Sequence, residues 1–442
     1  MKVKKKKSNI TKFSIILLSF LLIILFGSFL LWLPISQTGE GLSYIDSLFL
    51  STSAICVTGL SPVSDLSQHL SMFGRIVLAI LIEIGGLGIV SLVMFIAIIF
   101  GFKITINQRF LLKEALNQDA AGGIVQMLKK IVLTAISIQF IGFVLNFISL
   151  YWIEGFDFAE SIGFSIFHSI SSFNNAGFDL FGDSSLINFS DNVLFNFSTC
   201  LMIFCGGLGF IVIFDILQKR KFRKLSLHSK IVLVTTLSLL VCGTLLFKFL
   251  NYDSLTWLEA IFLSFTVRTA GFTSINLNNL GTASKMISMI LMFIGVGPAS
   301  TGGGIKVSTF FVMLLSFRAF AKSDNETHAF NRKISDSLVT KAFVLSIFAL
   351  SFIFISTTTI LAIEKERFTF LQTSFEVVSA FSTTGLTLGI TTKFTTFSKI
   401  IICLIMYIGR LGPITFISLF QKNQKVINKD SIRFVEESVI IG

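Results

Sequence analysis

Histidine, cysteine and charge are scarce in this sequence, and each scarcity closes off a class of function. The 442 residues hold four histidines and five cysteines. His69, His168, His228 and His328 have no ligand spacing to one another, so no zinc-type site is expected. Cys56, Cys200, Cys205, Cys242 and Cys403 mostly sit inside apolar runs without paired spacing. That suits small buried hydrophobes better than a disulfide framework or a metal site. Charged residues make up only 14% of the chain against 53% hydrophobic, with a mean hydropathy of +0.84. A soluble core of this size needs far less apolar surface, so the chain reads as an integral membrane protein. No soluble stretch exceeds a few tens of residues, and none alternates strand with helix as a nucleotide fold requires. Within the apolar runs Glu83, Asp215, Lys306 and Arg410 form no recognisable catalytic set, so the protein is not expected to be an enzyme.

What is present is a series of long apolar runs. A hydrocarbon core of about 30 Å needs about 20 apolar residues, and segments 13–32, 76–100 and 131–150 reach that length. They read as helices, because a transmembrane barrel shows alternating segments of about 10 residues instead. Lys2 and the lysines Lys4, Lys5, Lys6 and Lys7 precede the first run as they would in a signal peptide. The run is too long for one and lacks a small-residue cleavage site, so it reads as a retained first helix.

The net charge of +12 does not point to nucleic acid, because its placement follows the membrane. Lys and Arg crowd the amino terminus, segments 103–130, 219–224 and 318–341, and the tail from Lys422. Segments 33–73 and 151–192 carry Asp46, Asp65, Asp157, Asp179 and Asp183 but no Lys or Arg. By the positive-inside rule the basic set and both termini are cytoplasmic, and the acidic segments face out. Membrane lipids with anionic headgroups remain open partners of the basic set.

The outward segments repeat. Each has a short apolar stretch, too short to span, that ends in a Thr/Ala-Gly-Leu/Phe tripeptide: "SLFLSTSAICVTGL", "SIFHSISSFNNAGF", "AIFLSFTVRTAGF" and "TSFEVVSAFSTTGL". The glycines are Gly59, Gly177, Gly271 and Gly385, each preceded by Thr58, Ala176, Ala270 or Thr384. The unit of span, re-entrant half-helix, glycine loop and span divides the chain into 13–102, 125–218, 227–320 and 336–420, between a basic amino terminus (1–12) and a tail (421–442). One such tripeptide is an ordinary turn; four at corresponding positions are not.

Irregular backbone at membrane depth is tolerated only where protein buries it or water lines it. Four such loops converging on one axis would set carbonyl oxygens in a ring, with glycine admitting backbone angles closed to other residues. Carbonyl rings replace the hydration shell of an alkali cation, and half-helices aim their negative dipole ends at the same point. The four tripeptides, Thr58 and Gly59, Ala176 and Gly177, Ala270 and Gly271, Thr384 and Gly385, are therefore expected to form a single-layer cation filter.

The span after each loop carries its own glycines: "IEIGGLGIV", "FCGGLGFIV", "GVGPASTGGGIK" and "YIGRLGPIT". In the first two, close helix packing is the expected role. The third, with Gly295, Gly297, Pro298, Ala299, Ser300, Thr301, Gly302, Gly303, Gly304 and Lys306, cannot hold a continuous helix. It is expected to break across the pore beneath the filter and act as a gate. It is not a phosphate-binding loop, because Gly303 follows Gly302 where lysine is required. Arg410 aligns with Gly86 and Gly207, placing a charge at mid-span. Two roles are open to it: opposing a passing cation below the filter, or pairing with a group such as Glu83 or the carbonyls of the broken helix. Arg268 and Glu376 read as supports of the half-helices.

These elements resemble the Trk/Ktr/HKT superfamily of cation transporters, most closely the membrane subunits of bacterial Ktr potassium uptake systems. The resemblance covers about 13–420. It implies an all-α polytopic fold of eight spans and four half-helices around one pseudo-fourfold pore, a homodimer with one pore per protomer, and potassium uptake in the cell membrane. It assigns the filter to Gly59, Gly177, Gly271 and Gly385, the gate to 295–304 and the pore arginine to Arg410. Some sodium-preferring relatives have serine at the first filter position, so glycine at all four favours potassium. The family further implies a cytosolic RCK regulatory ring that carries the nucleotide, so that this chain binds no cofactor of its own, with the basic inner segments and tail 421–442 as docking surface. Sodium stimulation is a further implication. An alternating-access secondary transporter, the chief rival, predicts inverted halves and paired broken helices, whereas these repeats share one orientation and one span is expected to be broken.

Overall fold

The structure, a computed structural model, describes residues 12–39, 41–115, 122–182, 185–324, 326–365 and 367–412. The first unit comprises α1 (Lys12–Trp32), α2 (Tyr44–Cys56), the one-turn α3 (Leu66–His69), α4 (Met72–Leu87), α5 (Ile89–Ile99) and α6 (Ile106–Ala115). The second comprises α7 (Ile124–Ile148), α8 (Phe158–Phe173), α9 (Val193–Leu208) and α10 (Phe210–Lys219). The third has α11 (Leu227–Leu250), α12 (Trp257–Thr266), α13 (Thr282–Phe293) and α14 (Val307–Ala321). A small hairpin of β1 (His328–Ala329) and β2 (Arg332–Lys333) leads into α15 (Asp336–Ile363), α16 (Phe370–Ser382) and α17 (Thr396–Leu411).

The opening helix of each unit, α1, α7, α11 and α15, is long and apolar enough to cross a membrane. These helices expose Leu22, Phe140, Val241 and Phe354 on one side. Lipid, not water, is the medium such a face suits.

The short helices α2, α8, α12 and α16 begin on built caps, which a single sequence pass leaves unmarked. Ser43, Asp157, Thr256 and Thr369 accept the first free backbone N–H groups, and Glu259 and Gln372 return the bond to complete capping boxes. Their amino ends are thus satisfied, and their carboxyl ends point into the protein. The buried core falls into two main clusters, one drawn chiefly from the first two units and one from the last two.

Segment 76–100 is not one continuous span. The chain turns by 101° between α4 and α5 at Gly88, and by 95° between α9 and α10 at Gly209. Both glycines have positive φ, +83° and +88°. That backbone conformation is nearly exclusive to glycine. The second spans of units one, two and three are all broken, which corrects the expectation of a single break in the third. Gly412, after α17, has the same sign of φ, +80°. Beyond it, Pro413 to Thr415 and tail 421–442 lie outside the described residues, as do Lys2, Lys4 to Lys7 and Asp183.

Candidate functional site

The four glycine loops meet in a closed ring. A Cβ placed on Gly59 would lie 3.0 Å from Gly177 Cα, one on Gly177 3.0 Å from Gly271 Cα, and one on Gly385 3.0 Å from Gly59 Cα. A Cβ on Gly271 would strike the Thr384 carbonyl oxygen, which joins the third loop to the fourth. Each glycine faces the carbonyl oxygen of the residue before the next glycine: Gly59 faces that of Ala176, Gly177 that of Ala270, Gly271 that of Thr384 and Gly385 that of Thr58. The order around the ring is the order in the chain. Any side chain at these four positions would collide with a neighbouring backbone.

The four loops share one backbone turn. The residue two before each glycine is left-handed, with φ of +55° at Val57, +56° at Asn175, +66° at Thr269 and +52° at Thr383. The glycines themselves have φ of +93°, +70°, +85° and +90°. Amides of the loops are satisfied by the half-helices behind them. Thr58, Ala176 and Thr384 N–H donate to the carbonyls of Ser53, Ser171 and Ser379, each at 2.8 Å, and Ala270 N–H donates to Thr266 O at 3.0 Å. The same serines accept through their hydroxyls from Gly59, Phe178 and Gly385 N–H, while Thr266 donates its hydroxyl to Phe272 O. With these amides bonded to the half-helices, the carbonyl oxygens of Ala176, Ala270, Thr384 and Thr58 each lie against a glycine of the neighbouring loop.

The second spans press against the carboxyl ends of the half-helices. A Cβ on Gly85, Gly206 or Gly409 would hit the carbonyl oxygen of Ile55, Phe173 or Phe381. The packing role expected of these glycines is present, and the breaks at Gly88 and Gly209 come one helical turn later.

Between α13 and α14 the chain loops against the residues that precede the ring in the third and fourth loops. Gly302 lies against the Thr269 hydroxyl and Gly303 against that of Thr383. The loop is tied down on all sides. Gly295 N–H donates to Ile305 O at 2.8 Å, Gly297 N–H to Gly207 O at 2.9 Å, and Phe210 N–H to Ala299 O at 3.2 Å. Thr301 donates its hydroxyl to Phe173 O at 3.3 Å and Ser300 to Gly297 O at 2.5 Å. Lys306 Nζ donates to Gly302 O at 2.6 Å. Ala299 takes a left-handed turn after Pro298, and Gly304 another, with φ of +54° and +70°. Arg268 bridges Thr236 O at 3.0 Å and Gly295 O at 3.1 Å, fixing the start of the loop to α11.

Arg410 bonds carbonyls, not a carboxylate. Its guanidinium donates to Thr301 O in the loop, to Gly85 O at 2.5 Å and to Gly86 O at 3.4 Å. The break at Gly88 leaves the last carbonyls of α4 without helical partners. A cation there is also favoured by the helix dipole. Glu83, the alternative partner, is instead held by Gln139 Nε2 at 2.8 Å and Asn174 Nδ2 at 2.7 Å. Glu376 accepts from Leu388 N–H at 3.0 Å and from the hydroxyls of Thr391 and Thr387, so it braces the segment after the fourth loop, as a half-helix support does.

Asp179, in a segment expected to face out, is held within its own loop. Asp179 is bound by the Ser185 hydroxyl at 2.6 Å and Phe181 N–H at 3.2 Å. Burial, with the Asp65 charge nearby, pushes its carboxyl up to about 6. Among the described residues, no group of three or more His, Cys, Asp or Glu side chains is placed to hold a metal.

A helical chain whose four units each open on a helix long and apolar enough to cross a membrane is, by its fold, a polytopic membrane protein. The family model described as a cation transport protein, TrkH, matches residues 2–429. The chain is 37% identical to the Ktr system potassium uptake protein B of Bacillus subtilis, over 97% of this chain and 96% of that one. It is 38% identical to the protein of the same name from Vibrio alginolyticus, over 99% and 97%. It is 37% identical to the potassium/sodium uptake protein NtpJ of Enterococcus hirae, over 99% of both. The crystal structure of the potassium transporter TrkH from Vibrio parahaemolyticus shares the fold, with a TM-score of 0.72 at 19% identity over 95% of this chain and 86% of that one. The chain belongs to the TrkH family of cation transport proteins.

Proposed function

We propose that this chain is the potassium-translocating membrane subunit of a Ktr-type uptake system. The observation that carries the reading is the closed ring of Thr58, Ala176, Ala270 and Thr384 carbonyls around Gly59, Gly177, Gly271 and Gly385. Four carbonyls of neutral backbone suit a weakly hydrated monovalent cation and release it again. Glycine at all four positions favours potassium.

The loop 295–304 is the gate, lying across the path below the ring, and Arg410 and Lys306 hold it closed through its carbonyls. The completed architecture is eight spans and four half-helices about one pore, with both termini cytoplasmic, in a homodimer in the plasma membrane. A cytosolic RCK ring carrying the nucleotide acts on the gate from the basic inner face. The names of relatives as Ktr system proteins support a system of several parts, and a potassium/sodium uptake relative supports stimulation by sodium. An alternating-access transporter fits less well, because the breaks all fall in the second span of their units.

Rubidium uptake into cells that lack their own potassium uptake tests the reading, with potassium and sodium as competitors. Uptake blocked by potassium more than by sodium, and lost or altered in selectivity in Gly177→Asp, is the expected result. Unchanged uptake in a variant that inserts normally would remove the loops from the ion path.

A further inference from the structure

The residue three before each ring glycine stands at the end of its half-helix: Cys56, Asn174, Arg268 and Ser382. Two of the four reach neighbouring spans with polar side chains. Arg268 binds backbone carbonyls of its own unit, Thr236 O in α11 and Gly295 O after α13. Asn174 reaches into the first unit instead. Its Nδ2 donates to Glu83 Oε2 in α4 at 2.7 Å, and also to Ile170 O in its own helix at 2.9 Å. The same Glu83 oxygen accepts from Gln139 Nε2 in α7 at 2.8 Å, so one carboxyl oxygen joins α4, α7 and α8.

The contact is steric as well as polar. Asn174 is fully buried, and a Cβ on Gly86, three residues after Glu83, would strike its side-chain oxygen. Two residues after Asn174, past the left-handed turn at Asn175, comes Ala176, whose carbonyl oxygen faces Gly59. The joint between the first and second loops of the ring is therefore bridged a second time, just behind it, by the bond from Asn174 to Glu83. An ionisable group inside a span is costly to keep. Packing alone would be served there by leucine, whereas an oxygen that takes two amide donors fixes the orientation of both.

We propose that Glu83 is a specificity-determining positioning residue: by holding Asn174 it sets where the Ala176 carbonyl stands against Gly59, and with it the preference of the ring for potassium over sodium. The proposal rests on the reading of the ring as the ion path and adds to it a residue outside the four loops. Preference between two alkali cations depends on the placement and field of a few carbonyls. A half-helix end freed to shift changes that preference before it abolishes passage. Glu83 does not touch the ion and acts through Asn174.

The test uses the purified full chain in liposomes, with rubidium uptake measured against rising potassium or sodium, for the wild type, Glu83→Ala and Glu83→Gln. Glutamine keeps an oxygen that can accept both bonds, and alanine removes it. The proposal predicts that E83A lowers the ratio of half-inhibiting sodium to half-inhibiting potassium by about two- to tenfold, the worth of one hydrogen bond. E83Q is expected within about twofold of the wild type. An unchanged ratio in E83A, whatever its rate or thermal midpoint, overturns the proposal, because Glu83 then only holds helices together. A ratio as low in E83Q as in E83A overturns it as well, because the charge and not the accepting oxygen is then what matters. If E83A does not insert, Asn174→Ala, which cuts the link and leaves Glu83 on Gln139, carries the same expectation. A wild type that takes up no rubidium, or shows no preference for potassium over sodium, overturns the carbonyl-ring reading itself.

Discussion

Arg410 illustrates how much one residue can hold in place. Its guanidinium ties the loop 295–304, through Thr301 O, to the last turn of α4, through Gly85 O and Gly86 O. Hydrogen bonds from a charged group contribute about 1.5–3 kcal/mol. Arg410→Gln shortens the side chain and removes the charge, so if the loop is the proposed gate it should open more often. Flux in liposomes is expected to rise by about tenfold or more, and a fall in flux with normal assembly would contradict the role. Asp179 gives a pH dependence. Burial disfavours the charge and pushes its carboxyl up to about 6, above the ordinary carboxylate range. A raised value means that the proton is taken up as the medium falls through pH 6, and the segment after the second loop loses a negative charge there. Potassium uptake from dilute medium should weaken between pH 7 and about 5, and Asp179→Asn should abolish that part of the dependence. Of these residues, the sequence marks Arg410 as costly at mid-span but leaves two kinds of partner open. Choosing between them requires knowing that Gln139 and Asn174 already occupy Glu83, a contact between residues 91 and 56 positions apart that no local pattern carries.

At the scale of elements, the half-helices and their loops are legible because they repeat. A short apolar stretch, a hydroxyl and a glycine recur in four segments that all lack basic residues near the loop except for Arg268. The breaks at Gly88 and Gly209 are not legible in the same way. A Gly-Gly-Leu-Gly run inside an apolar helix serves packing and bending with the same letters, and both uses are present: Gly85 and Gly206 pack, Gly88 and Gly209 bend. Only the third span, with Pro298 and its run of glycines, announces its break. The bend yields a prediction. At φ +83° and ψ +133°, Gly88 sits where a side chain is strained by about 1–3 kcal/mol. Gly88→Leu should lower the thermal midpoint of the detergent-solubilised protein, while Leu87→Ile should change it little. Equal midpoints for wild type and G88L would show that the chain takes the bend without strain.

At the scale of the molecule, the four units close on themselves. Lys399 in α17 pairs with Asp46 in α2 at 2.6 Å, which fastens the last unit to the first, and α17 also packs on α2. The helical, membrane-spanning character of the fold was foreseeable from the long apolar runs and their repetition, because spans need a set length and irregular backbone must converge away from lipid. The ring itself was foreseeable as a consequence of that convergence. Its pairing, each glycine against the carbonyl before the next, was not, because it depends on the left-handed turns at Val57, Asn175, Thr269 and Thr383, where three of the four residues give no sign of such a backbone. The central claim is that this ring holds the transported ion. Anomalous diffraction from crystals grown in rubidium tests it most directly. The account predicts a rubidium peak on the axis between the carbonyl oxygens of Thr58, Ala176, Ala270 and Thr384, lost when sodium replaces rubidium. A map with ordered loops, rubidium bound elsewhere and no peak within the ring would contradict it.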